Sequence, residues 1–225
     1  RSSSSAASDV YKRQSLKAVI GPSIGGLMAL EFSLLYPDFV ENLISISSGY
    51  KLSTIQLLHN LEQAYVLNLA KNSPDRRDEY LSLARMIAHK TYISLELLTL
   101  RAKGESKYGE DIINGFLSTS QESYMMHQGE KFIERFTHES YNSIIKGWQN
   151  FSIDVEKIER LKDIKVLVVS VDSDVCFYPE EQSEFIKLLE ANQINVTHKT
   201  ISSTKGHDCF LLEPDLFEKE LGKFI

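Results

Sequence analysis

Three residues far apart in the chain, Ser23, Asp174 and His207, are of the types that together carry out nucleophilic acyl transfer. A serine hydroxyl attacks a carbonyl only when a neighbouring base removes its proton, and a histidine does so only when an acid holds its tautomer. Ser23 lies in GPSIGG (21–26), a G-x-S-x-G turn between an apolar segment and a run of helix formers. The sharp turn needs small neighbours, which Gly21, Gly25 and Gly26 supply. At the start of the following helix the Ile24 N–H has no helical partner and is free to bind an oxyanion. Asp174 follows KVLVVSV (165–171), with Asp172 as the competing acid, and His207 lies in STKGHDCFLLEP (203–214). The histidines at 59, 89, 127 and 138 fall in a helical stretch and His198 in a strand, where packing or surface roles suit them better.

The elements that must position these residues can be read from periodicity. Leu16–Ile20, Leu43–Ser47, Lys165–Val171 and Asn195–Ile201 read as strands. Gly25–Tyr36, Asp154–Leu161, Pro179–Ala191 and Pro214–Ile225 read as helices. Between residues 50 and 150 strand signals vanish; Ser73-Pro74 reads as a helix start, and Gly104 and Gly115 as breaks. The expected architecture is therefore α/β: a core of residues 15–49 and 151–225, interrupted by a helical lid of residues 50–150. The order Ser, Asp, His, each at the carboxyl end of a strand, is that of the α/β-hydrolase fold.

Composition narrows the function classes. The chain has 225 residues, 42% hydrophobic and 25% charged, with a formal net charge of −6. That charge favours neither nucleic acid nor an anionic membrane as partner. No apolar run approaches the roughly 18 residues of a membrane span. The two cysteines, Cys176 and Cys209, make no disulfide framework and read as packed thiols, consistent with the cytoplasm. No metal site and no bound cofactor are expected. RSSSSAAS (1–8) is low-complexity, and DVYKRQ (9–14) is what a transposase end sequence used in DNA libraries encodes. Residues 1–14 are therefore expected to be a non-native leader, with early sheet strands and the second oxyanion donor belonging to a segment missing before Ser15.

GPSIGGLMALEFSLLYPD, LARMIAHKTYIS, SYMMHQGEKFIERF and SDVCFYPEEQ through KGHDCFLLEP together resemble the homoserine O-acetyltransferase family, within the α/β-hydrolase superfamily. The resemblance implies Ser23 as nucleophile, Asp174 as acid and His207 as base. It also implies that Arg85, of the LAR segment, and Asp208 bind an amino-acid substrate, a cation for its carboxylate and an anion for its ammonium. Arg85 lies at helical spacing from Leu81, His89 and Tyr92, so it can face inward with them. The implied reaction is ping-pong transfer of an acetyl group from acetyl-CoA, a co-substrate, to the hydroxyl of homoserine or a similar amino acid. Partners are then small molecules, with a homodimer through the lid. A serine esterase or thioesterase on the same scaffold, and an inactive binding relative, are the alternatives; the choice of acetyl or succinyl donor stays open.

Overall fold

The computed structural model describes residues 15–103 and 120–225; the leader read at 1–14 and the breaks expected at Gly104 and Gly115 lie outside them. Four parallel strands form the sheet among the described residues: β1 (Val19–Pro22), β2 (Asn42–Ile46), β3 (Lys165–Val171) and β4 (Val196–Ile201), in that spatial order. Val19 stands opposite Leu43, Leu43 opposite Val166, and Val166 opposite Val196. β3 is buried on both faces after Lys165, which is why it reads as an unbroken apolar run. Val166 and Val168 pack with Leu30, Leu34, Phe185 and Leu189 on one face. Leu167, Val169 and Val171 pack with Ile44, Ile46, Ile201 and Phe217 on the other.

The helices cover these faces. α1 (Ile24–Leu35) follows β1, and after β2 come α2 (Thr54–Leu69), α3 (Arg77–Tyr92), α4 (Leu95–Arg101), α5 (Ser120–Ile133) and α6 (His138–Gln149). α7 (Pro179–Ala191) joins β3 to β4, and α8 (Cys209–Leu212) and α9 (Asp215–Phe224) close the chain. The helices between β2 and β3 share their own core, in which Leu67, Leu81, Phe132, Ile145 and Trp148 pack with Leu27, Cys176 and Phe177. That core seats them over the start of α1 and the loop after β3, where the candidate chemistry lies.

Three expectations need correction. The first strand was expected over Leu16–Ile20, but Leu16 makes only a bridge to Val40, and the ladder starts at Val19. Residues 16 and 17 bond instead to the approach to β2, through Leu16 N–H to Phe39 O and Asn42 Nδ2 to Lys17 O. The helix expected at Asp154–Leu161 is a 3₁₀ helix over Val155–Leu161, its start capped by Asp154 on the Glu156 N–H. Ser73 caps nothing with its side chain; Pro74–Arg76 form a 3₁₀ turn and α3 begins at Arg77.

Candidate active site

Ser23 occupies the tight turn between β1 and α1 with φ 54° and ψ −128°, a conformation that costs a non-glycine residue about 1–3 kcal/mol. The surroundings hold it there. Its N–H donates to Ile46 O at the end of β2 over 2.9 Å. A Cβ on Gly21 would sit 1.9 Å from Gly25 O, and one on Gly26 would sit 2.5 Å from the Ser48 Cβ. Both glycines are thus required by the close approach of the elements on either side of the serine. The Ile24 N–H, at the first position of α1, has no preceding helical carbonyl and lies at the positive end of the helix.

The other two residues reach Ser23 from the carboxyl ends of β3 and β4. His207 Nε2 lies 2.8 Å from Ser23 Oγ, and His207 Nδ1 lies 2.8 Å from Asp174 Oδ2. A carboxylate only accepts, so the Nδ1–H donates to Asp174 and Nε2 is left to accept the serine proton. The second carboxylate oxygen, Asp174 Oδ1, accepts the backbone N–H groups of Cys176 (2.8 Å) and Phe177 (2.9 Å). Asp174 and His207 are both 2% exposed, so the bond between them is buried, while Ser23 is only partly so. Asp172, the competing acid, is exposed and accepts the Ser203 N–H instead.

Arg85 and Asp208 come close to the same place without pairing. The Arg85 guanidinium lies over the Tyr92 ring at 4.8 Å and the Phe132 ring at 5.0 Å, and its buried Nε–H has no hydrogen-bond partner. The Asp208 N–H donates to Tyr92 O at 2.7 Å, which places the residue against the end of α3. Burial pushes the Asp208 carboxyl upward, while His207, Arg85 and Arg101 pull it back. No ion pair joins Arg85 and Asp208 among the described residues. Three histidines set aside as structural have partners of their own: His89 bonds Tyr124, His138 bonds Leu67 O and His198 bonds Ser170. Cys176 and Cys209 are buried free thiols, and burial raises both.

Sequence reasoning did not single out the rings around His207. Phe177 stacks on it at 5.6 Å, Phe210 meets it edge-on at 5.6 Å, and Tyr92 lies at 6.3 Å. Tyr92 was legible only as a residue sharing a helix face with Arg85. The other two offered no signal beyond proximity in sequence to Asp174 and His207.

A serine on a strained turn between strand and helix, met by an acid and a base from two later strand ends, defines a class. The chain belongs to the α/β-hydrolase fold family, whose sequence profile matches residues 11–214. Among curated proteins it is 35% identical to a homoserine O-acetyltransferase of Methanosalsum zhilinae over 94% of this chain and 45% of that protein. It is 32% identical to a homoserine O-succinyltransferase of Acinetobacter baylyi, over 97% of this chain and 60% of that one. The chain thus spans about half the length of the curated relatives it matches. Two solved structures share the fold. Homoserine O-acetyltransferase from Bacillus anthracis superposes with TM-score 0.81 at 21% identity, covering 94% of this chain and 60% of that one. Esterase E22 superposes with TM-score 0.84 at 17% identity, covering 98% and 64%.

Proposed function

We propose that this chain is the catalytic part of an acyltransferase that moves an acetyl group from acetyl-CoA to the hydroxyl of homoserine or a closely similar amino acid. The observation that carries this reading is the unbroken chain from Asp174 through His207 to Ser23, set beside an unpaired cation and an unpaired anion. Ser23 Oγ loses its proton to His207 Nε2 and attacks the thioester carbonyl, with the oxyanion on the Ile24 N–H. The carbon–sulfur bond breaks, and the CoA sulfur takes the proton from His207. The acceptor hydroxyl then gives its proton to His207 and attacks the acyl-serine, and Ser23 leaves with that proton. Arg85 takes the acceptor's carboxylate and Asp208 its ammonium. No bound cofactor is called on.

The helices α2 to α6 act as a lid that keeps water from the acyl-serine. Ile55, Leu58, Leu61, Tyr65 and Leu69 make an exposed apolar stripe along α2, which supports a homodimer through these helices. The described residues include no helix long and apolar enough to cross a membrane, and a biosynthetic reaction on small polar substrates fits the cytoplasm.

The test is to supply acetyl-CoA with and without homoserine and to measure O-acetylhomoserine, free acetate and free CoA. Acetyl transfer that outruns acetate release supports the reading. The likeness to esterase E22 keeps hydrolysis as the second reading. Acetate release undiminished by homoserine or any other amino acid would establish it instead. Succinyl-CoA in parallel decides the donor.

A further inference from the structure

The helices of the proposed lid do more than cover the site. We infer that Gln56, on α2, is a positioning residue that sets the hydrogen bonding of Asp174 through the peptide unit between Cys176 and Phe177. This inference rests on the reading of Ser23, His207 and Asp174 as a catalytic relay.

Gln56 is 3% exposed, and both ends of its amide are engaged. Ser53 is the N-cap of α2, and the two residues form a reciprocal capping box. The Gln56 N–H donates to Ser53 Oγ at 3.4 Å, and the Ser53 N–H donates to Gln56 Oε1 at 2.9 Å. With Oε1 held by that donor, Nε2 must point away from the cap, and it donates to Cys176 O at 2.6 Å. That carbonyl belongs to the same peptide unit as the Phe177 N–H, which donates to Asp174 Oδ1 at 2.9 Å. A donor on the oxygen side of a peptide polarises its N–H side, so the two bonds reinforce each other. The relay therefore continues past the acid: Ser23, His207, Asp174, the 176–177 peptide, Gln56. The next carbonyl, Phe177 O, is held from the core side by Gln182 Nε2 at 2.9 Å. The loop carrying the acid is thus clamped by one buried amide from the helical insertion and one from α7.

Two substitutions separate this role from general packing. Gln56→Met removes both the cap acceptor and the donor. Gln56→Glu keeps an acceptor for the Ser53 N–H and, when ionised, replaces the donor to Cys176 O by a charged oxygen that repels it. Gln63→Met is the control: Gln63 is buried about two turns further along the same helix face, bonded to Tyr141 and to His59 O, with no hydrogen bond to the loop. The readouts are the saturating rate of Ser23 labelling by a fluorophosphonate, the probe concentration at half saturation, and the low-field proton resonance of His207 Nδ1–H. Both Gln56 variants should label about tenfold more slowly at unchanged half saturation, the size expected for one hydrogen bond to a charged network. Their Nδ1–H resonance should move, while Gln63→Met loses stability and keeps both wild-type values. Folded Gln56 variants with wild-type rate and resonance would overturn the inference. Wild-type protein that labels nowhere would refute the catalytic relay itself, and this inference with it; labelled wild-type protein with unaffected variants refutes the inference alone.

Discussion

Replacing Asp174 by asparagine tests the site in a way that alanine does not. Asp174 Oδ1 accepts two buried backbone donors, from Cys176 and Phe177, so an asparagine must present its oxygen to them. Its NH₂ group then faces His207 Nδ1, which must become the acceptor. The proton moves to Nε2, where it points at Ser23 Oγ, and the base is lost. Restoring the productive tautomer means turning the amide and leaving the two backbone N–H groups unpaired, at about 1–3 kcal/mol each. A total of about 2–6 kcal/mol corresponds to a rate loss between roughly 30-fold and roughly 25,000-fold at about 1.36 kcal/mol per decade. The variant also loses the negative charge that stabilises the imidazolium, so the outcome should lie toward the upper end. Folding is another matter. Asp174→Asn keeps every hydrogen bond of the loop and should unfold near the wild-type temperature, whereas Asp174→Ala strands both donors and should cost about 2–6 kcal/mol of stability. The assay pairs a fluorophosphonate labelling rate with denaturant unfolding. Asp174→Asn labelling within threefold of wild type would show that the tautomer argument is wrong.

Two further outcomes follow from the same geometry. In Gly26→Ala the new methyl meets Ser48 Cβ at 2.5 Å, Ser48 Oγ at 2.6 Å and Gly21 O at 2.9 Å. It should lose about 1–3 kcal/mol, and Ser48→Gly should restore only part of that because the Gly21 contact remains, as a double-mutant cycle in urea would measure. For Asp208, burial holds the folded carboxyl above its unfolded value, so the folded state binds the proton more tightly. Stability then falls as pH rises from the unfolded to the folded value and stays reduced above it. Asp208→Asn should raise the melting temperature at neutral pH, with the gain vanishing below the ordinary aspartate range. The same variant should lose acyl transfer to amino acids while Ser23 still labels.

What the sequence made legible was local. A strand, a glycine turn and a helix stand within about twenty residues, so Ser23 could be read directly, and the strand preceding Asp174 is buried on both faces and could not be mistaken. Where edges or short turns decide, periodicity failed. β1 starts late because its first residues bond to the approach to β2, and Val155–Leu161 winds as a 3₁₀ helix, its apolar residues Val155, Ile158 and Leu161 recurring at the three-residue period of that helix. The capping box of Ser53 and Gln56 is a sequence signal, S-x-x-Q, but the reach of the same amide to Cys176, 120 residues away, is not. Arg85 could be placed on an inward helix face; that two aromatic rings would hold it with an unbonded Nε–H could not.

Those unbonded charges bear on the choice between transfer and hydrolysis. The partnerless Nε–H of the half-buried Arg85 and the carboxyl of Asp208, raised by burial, both work against folding. Tyr92 and Phe132 hold Arg85 in its own place, and the Tyr92 carbonyl accepts the Asp208 N–H. Under the proposed reading the two groups serve the acceptor, whereas an esterase acting on neutral esters would gain nothing from them. On that reading, a zwitterionic acceptor would satisfy both at once and its binding would stabilise the fold.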